Sequence, residues 1–183
     1  MPRCPAHVTL RAVTALPSLR GRAVFPSLRG ALTAASHDGF RVLQFSVQTD
    51  HLHLLVEANS PTGFGAGVQG LAIRTAKAIN RALGRHGRVW GDRHHARRLR
   101  TPREVRNALV YVLCNWFKHV PGARGLDPCS SAAWFRGWQV STGDRAGPGP
   151  APVVAAETWL ASVGWQRHGL VGIDEQPRGA AGR

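Results

Sequence analysis

The chain of 183 residues is 43% hydrophobic and has 24 lysine and arginine residues against 10 acidic ones, a formal net charge of +14. This length and apolar content predict one domain with a core, and the lack of a long apolar run or an apolar leader argues against a membrane or secreted protein. Three cysteines without paired spacing argue against a disulfide framework and fit a cytoplasmic location, while the excess of positive charge points to a polyanion, first of all nucleic acid.

The spacing of apolar and turn-forming residues predicts alternating strands and helices in the first two thirds of the chain. In chain order these are a strand over 7–12, a helix over 25–35, a hairpin of strands over 40–48 and 51–57, a Gly/Pro loop over 59–67, a helix over 69–84, short strands near 89–90 and 96–99, and a helix over 101–119. The last helix has the best-marked start, because Thr101, Pro102 and Glu104 form a capping-box pattern with proline at the first helical position.

This order of elements predicts an α+β fold, a ferredoxin-like antiparallel sheet with helices packed on one face. Residues 1–126 are expected to form the folded domain that carries any functional site. Residues 127–183, which contain the linker-like stretch TGDRAGPGPAP, are expected to form an irregular, loop-rich C-terminal extension.

Two histidines in the strand VQTDHLHLLVEA indicate a metal site. Side chains alternate along a strand, so His51 and His53 share one face while Leu52 and Leu54 lie on the other. A histidine–leucine–histidine triplet by itself is more often structural. Its interpretation as a metal site therefore depends on further ligands.

The capped helix supplies those further groups. Tyr111 is the only tyrosine in the chain, and Asn115 follows four residues later on the same helical face. The amide of Asn115 is a candidate third ligand beside His51 and His53, although it could instead cap a loop carbonyl. Tyr111 is then placed to attack a DNA phosphate beside the metal, which would leave a covalent phosphotyrosine and a free 3′-hydroxyl.

His51-Leu52-His53, the Tyr111-x-x-x-Asn115 spacing and the stretch 69–119 together resemble the REP-associated tyrosine transposases, which are single-tyrosine HUH transposases (histidine–hydrophobe–histidine) of bacterial insertion sequences. The resemblance covers about residues 7–119. It implies a fold built on a ferredoxin-like sheet, a cofactor of Mg²⁺ or Mn²⁺, and a substrate of single-stranded DNA near a hairpin. It also implies that His51, His53 and Asn115 bind the metal and that Tyr111 is the nucleophile.

The basic residues are expected to bind the DNA backbone. Contacts of this type position a strand without reading its sequence. The candidates are Arg93, Arg97, Arg98 and Lys118.

Three alternatives remain open at this stage. The chain could be a non-catalytic or host-domesticated DNA-binding protein with a degenerate site, and it could act as a homodimer. The spacing Gly65-x-Gly67-x-x-Gly70 could form a dinucleotide-binding turn, although a flexible loop is the favoured interpretation. A DNA substrate would place the protein at the nucleoid.

Overall fold

A computed structural model describes residues 4–177, apart from residues 92, 119, 121, 141–146 and 148. Its sheet has four antiparallel strands in the order β2-β3-β1-β4. The strands are β1 (Ala6–Arg11), β2 (Phe40–Val47), β3 (His51–Ala58) and β4 (His95–Arg98). With one helix after β1 and another after β3, this is the ferredoxin-like α+β arrangement that the sequence predicts. None of the helices in the described part of the chain combines the length and apolarity that crossing a membrane requires.

The helices lie on both faces of the sheet rather than on one. They are α1 (Phe25–Thr33), α2 (Pro61–Ala82), α3 (Pro102–Cys114) and the short α4 (Trp159–Ser162). Helices α1 and α2 share a core with the strand residues Leu52 and Leu54, whereas α3 packs on the opposite face against Leu43 and Leu55. The alternation of β3 requires this division, because successive residues of one strand contact different faces.

The loop predicted over 59–67 is wrong, because α2 already begins at Pro61. Ser60 caps this helix, and its hydroxyl accepts a hydrogen bond of 2.9 Å from the amide of Gly63. The glycines that suggest a loop or a dinucleotide-binding turn therefore lie inside a helix. The close packing of the helix against Phe40 explains the glycine at position 67, since a Cβ there would lie 2.2 Å from the Phe40 ring.

The capping box of α3 is confirmed. The Thr101 hydroxyl accepts a 3.2 Å hydrogen bond from the Glu104 amide, and the Glu104 carboxylate accepts one of 3.1 Å from the Thr101 amide. The α-helix ends earlier than predicted, at Cys114, and a 3₁₀ turn over Asn115–Lys118 continues it. The predicted last residue, His119, lies outside the described part of the chain.

A β-bulge in β2 decides which of its residues face α3. The register with β3 shifts between Val42 and Gln44, so Phe45 and Val47 enter the core with α1 and α2. Ser46 consequently lies on the α3 face, directly across from His53. The bulge thus adds a polar residue to the same face as the histidines.

The C-terminal segment packs on the α3 side of the sheet. Trp138, Trp165 and Val171 are buried in the same core as Leu109 and Leu113 of α3. The guanidinium of Arg106 fixes the segment from outside, donating hydrogen bonds to the carbonyls of residues 169 and 170 and to both carboxylate oxygens of residue 175.

Candidate active site

The two histidines of β3 lie side by side on the face that α3 covers. Their ring centroids are 4.6 Å apart, and His53 is 3% exposed. The Nδ1 atom of His51 donates to a carboxylate oxygen of Asp50 at 2.6 Å, and that of His53 lies 3.1 Å from the Thr9 hydroxyl. Each ring is therefore held through Nδ1, and Nε2 is the atom through which a metal would bind.

The hydrogen bond from His51 has a visible electrostatic effect. It is the main reason why the pKa of Asp50 lies below its usual range, with smaller contributions from the charges of His51 and Arg11. Asp50 thus stays ionised at neutral pH and keeps the proton of His51 on Nδ1.

Helix α3 brings Tyr111 to the histidines. Its ring meets that of His53 edge to face, with centroids 5.0 Å apart and an interplanar angle of 86°. The capping box fixes where the helix starts, and its apolar residues fix which face meets the sheet. Tyr111 and His53, which the sequence predicts to act together, are therefore in contact.

Asn115 lies one helical turn beyond Tyr111 and keeps helical backbone angles (φ −64°, ψ −24°). Its side chain is 1% exposed, and its Nδ2 atom has no hydrogen-bond partner among the described residues. A buried amide without a partner costs about 1–3 kcal/mol, so this group is expected to bind something when the protein functions. A rotation of the amide by about 180° would exchange Nδ2 and Oδ1 and put the oxygen where the nitrogen now lies. Since Nδ2 makes no hydrogen bond among the described residues, the rotation breaks no hydrogen bond of that nitrogen.

The donor atoms of His51, His53 and Asn115 are of types that bind a divalent ion such as magnesium or manganese. Two imidazole nitrogens and one amide oxygen form a mixed donor set that leaves positions for water or phosphate oxygens. Within the described part of the chain, no cluster of three or more His, Cys, Asp or Glu side chains could hold a metal. A metal site at His51 and His53 therefore needs a ligand of another type, for which Asn115 is the candidate that the sequence predicts.

The sequence analysis missed His7. Its ring lies 5.3 Å from that of Tyr111 and 5.4 Å from that of His53, measured between centroids. Burial, followed by the charges of His95 and Arg97, lowers its pKa to about 4. The signal in the sequence was the alternation of HVTLRA, which puts His7, Thr9 and Arg11 on one face, but the sequence does not reveal that β1 pairs with β3.

A cleft of ≈ 730 Å³ opens beside this cluster. Helix α3 lines one side with Arg103, Asn107 and Tyr111, which follow one another at intervals of one helical turn. Strand β4 lines the other side with His95 and Arg97. The cleft therefore combines rings and cations, the two kinds of group that single-stranded nucleic acid contacts.

The predicted DNA-binding residues do not all lie on one face of the sheet, because successive side chains of β4 point to opposite faces. Arg97 pairs with His7 of β1 and lines the cleft, where its guanidinium donates to Glu104 at 2.9 Å. Arg98 pairs with Ala6 and so points to the other face of the sheet. Arg93 is exposed ahead of the strand, and the side chain of Lys118 lies outside the described part of the chain.

Comparison with known proteins shows that the chain is similar to transposases. Residues 22–102, a little under half of the chain, match the family described as "Transposase IS200 like". Among solved structures, the chain is similar to a REP-associated tyrosine transposase in complex with a REP hairpin, with a TM-score of 0.53 and 18% identity over 65% of this chain and 70% of that one. A search of curated protein sequences returned no match.

The resemblance to this transposase family is therefore confirmed by the family match over 22–102, and the fold by the structural similarity. The matched segment contains His51 and His53 but ends at the start of α3. The roles of Tyr111 and Asn115 thus depend on the geometry of the site.

Proposed function

We propose that the protein is a metal-dependent transposase that cleaves single-stranded DNA through a covalent bond to Tyr111 and then transfers the strand. The observation that carries this proposal is the contact between the Tyr111 and His53 rings at the side of a cation-lined cleft. The family match supports DNA transposition as the process that the site serves.

The cleavage step needs a nucleophile in line with the leaving oxygen. The phenol oxygen of Tyr111 attacks the phosphorus and loses its proton to solvent, while the bond from phosphorus to the 3′-oxygen breaks and that oxygen takes up a proton. The products are a 5′-phosphotyrosine and a free 3′-hydroxyl. Because the phosphotyrosine keeps the energy of the broken bond, attack by another 3′-hydroxyl can rejoin a strand without ATP.

His51, His53 and Asn115 would hold the metal. When bound, Mg²⁺ or Mn²⁺ would offset the negative charge that develops on the non-bridging oxygens of the phosphate during attack. Asp50 and Thr9 keep the two imidazoles in the orientation that such binding requires.

The substrate strand is proposed to run along the cleft between α3 and β4. Arg103 and Arg97 border this path, and Arg93, Arg98 and Lys118 are proposed to contact the backbone outside it. Arg97 shares its charge with Glu104, so Arg103 is expected to contribute more to strand affinity. The solved transposase of similar fold was bound to a hairpin, and a single strand beside a hairpin is the substrate that we propose here.

The test is formation of a covalent adduct. Wild-type protein incubated with single-stranded DNA and Mn²⁺ is expected to yield a band that survives denaturation, and mass analysis should locate the nucleotide on the peptide containing Tyr111. Tyr111→Phe should abolish the adduct while the Kd for the DNA stays within about twofold, because the ring packing persists.

His53→Ala serves as the matched control for the metal. It should lose both the adduct and binding of Mn²⁺ measured by calorimetry, while Tyr111→Phe keeps Mn²⁺ binding. DNA binding by the wild-type protein without any adduct would instead support a DNA-binding protein with a degenerate site.

A further inference from the structure

Gln48 directly follows β2 and lies beside the two histidines of β3. The register of the hairpin puts Ser46 across from His53, and the amide of Gln48 donates a 2.8 Å hydrogen bond to the carbonyl of His51. Because side chains alternate along a strand, the side chain of Gln48 lies on the same face as that of Ser46. It therefore shares the α3 face with both imidazoles, and the Cβ atoms of residues paired in this way lie about 5 Å apart.

A chain of hydrogen bonds fixes the orientation of the Gln48 carboxamide. The hydroxyl of Ser46 donates to the Asp127 carboxylate at 3.4 Å, so its oxygen accepts the bond of 2.6 Å from Nε2 of Gln48. Asp127 is held in turn by the guanidinium of Arg20, through bonds of 2.7 and 3.0 Å. Since Nε2 is occupied by Ser46, Oε1 is the end of the amide that remains for another partner.

This oxygen is buried and has no partner among the described residues. Gln48 is 1% exposed, and its Oε1 atom accepts no hydrogen bond within the described part of the chain. A buried acceptor without a partner destabilises a fold, so its presence indicates a group that the protein binds there. The amide of Asn115, at the end of the helix that covers this face, also has a buried atom without a partner. Two elements thus bring an incompletely bonded amide to the face that carries the imidazoles.

We infer that Gln48 is a further ligand of the divalent metal, which it binds through Oε1. The inference rests on the proposed function, because it takes a metal at His51 and His53 as given. Carboxamide oxygens from Gln48 and Asn115 beside two imidazole nitrogens make the donor set harder, which favours Mg²⁺ or Mn²⁺ and still leaves positions for phosphate oxygens. The same bond would connect the metal through Ser46 to Asp127.

The experiment measures binding of Mn²⁺ to the full chain by calorimetry, without DNA. Gln48→Met keeps the length of the side chain and removes its oxygen, so the Kd for Mn²⁺ should rise by about tenfold or more. Gln48→Glu keeps an oxygen at the same distance from the backbone and should bring the Kd back to the wild-type value or below it, because carboxylate oxygens are good ligands of Mn²⁺. A side chain that acts only by packing would not give this rescue.

The matched control is Gln44→Met, the same substitution on the same strand. Gln44 pairs with Leu55, and its Oε1 atom already accepts a 2.6 Å hydrogen bond from the Ser131 hydroxyl. Its position is about 13 Å from that of Gln48 along the strand. The control therefore removes a glutamine and a hydrogen bond of β2 away from the imidazoles, and its Kd for Mn²⁺ should stay within about twofold of wild type.

The inference is overturned if Gln48→Met binds Mn²⁺ as the wild type does, since a buried water would then be the partner of Oε1. It is also overturned if Gln48→Glu or Gln44→Met loses as much affinity as Gln48→Met, because the substitutions would then act on the fold. A wild-type protein that binds no Mn²⁺ would overturn both the inference and the metal dependence of the proposed cleavage. Binding of Mn²⁺ through Gln48 without an adduct at Tyr111 would overturn only the proposed function.

Discussion

At the scale of single residues, the candidate site combines the half-buried Tyr111, the proposed nucleophile, with imidazoles that have different contacts. Both rings are partly exposed, but His51 is hydrogen-bonded to Asp50, whereas His7 packs against the rings of Tyr111 and His53. The Nε2 atom of His7 has no hydrogen-bond partner among the described residues. Burial keeps this ring neutral, so it adds no positive charge next to the residues proposed to bind a cation.

The lowered pKa of His7 predicts how stability depends on pH. Its pKa is about 4 in the folded protein against 6.5 for an ordinary histidine. Between these values the unfolded chain binds a proton that the folded chain does not, so the free energy of unfolding falls as the pH drops from about 6.5 towards 4. Urea unfolding in EDTA measures this change. Between pH 7 and 4.5 the free energy of unfolding should fall by about 2 kcal/mol more for the wild type than for His7→Phe.

The control for this prediction is His86→Phe, which changes an exposed histidine. Its stability should depend on pH as that of the wild type does. If His7→Phe and the wild type lose equal stability on acidification, burial does not hold His7 neutral.

At the scale of elements, the start and the packing of two helices place the site. The capping box begins α3 at the residue that puts Tyr111 above β3, and α2 packs on the far side of the sheet through Gly67 and Phe40. Because α2 begins eight residues earlier than the sequence predicts, at Pro61 rather than at Gln69, its glycines must be tolerated within a helix.

Two glycine substitutions test the packing of α2. Gly67→Ala should lower the free energy of unfolding by about 1–3 kcal/mol, because its Cβ would overlap the buried Phe40 ring. Gly65→Ala meets nothing within 4 Å and should instead raise it by about 0.5–1 kcal/mol, the usual gain of alanine over glycine in a helix. Urea unfolding of both variants measures the difference, and equal effects would contradict a helix in this register.

At the scale of the whole molecule, residues beyond 126 are connected to the sheet through buried polar groups. Asp127 is 1% exposed and accepts two hydrogen bonds, of 2.7 and 3.0 Å, from the guanidinium of Arg20. It also accepts one of 2.9 Å from the amide of Cys129. The carboxyl end of β2 is held in the same network, because Arg20 donates to the carbonyl of Val47.

Breaking this network should destabilise the whole fold. Asp127→Asn removes the charge of the buried carboxylate beside the partly exposed guanidinium of Arg20, and we expect the free energy of unfolding to fall by about 2 kcal/mol, because hydrogen bonds to a charged group are weakened. Arg11→Gln, which breaks the exposed ion pair with Asp50, should cost less than about 1 kcal/mol. Chemical unfolding measures both, and similar small losses would show that Asp127 does not anchor the segment.

The sequence by itself determined the features that depend on neighbours along the chain. Alternation placed His51 and His53 on one face, and Thr101 with Glu104 marked the start of α3, because both signals involve residues at most a few positions apart. It predicted a loop where α2 begins, since the gain from packing Gly67 against Phe40 comes from a residue far away in the chain.

Only the tertiary structure decided which strands are neighbours and which face each helix covers. It brought His7 of β1 against β3, put α3 opposite α1 and α2, and separated Arg97 from Arg98 on β4. These outcomes follow from the burial of apolar surface over the whole chain and from hydrogen bonds between distant strands. Such interactions are not encoded in any single short stretch of residues, so local patterns cannot predict them.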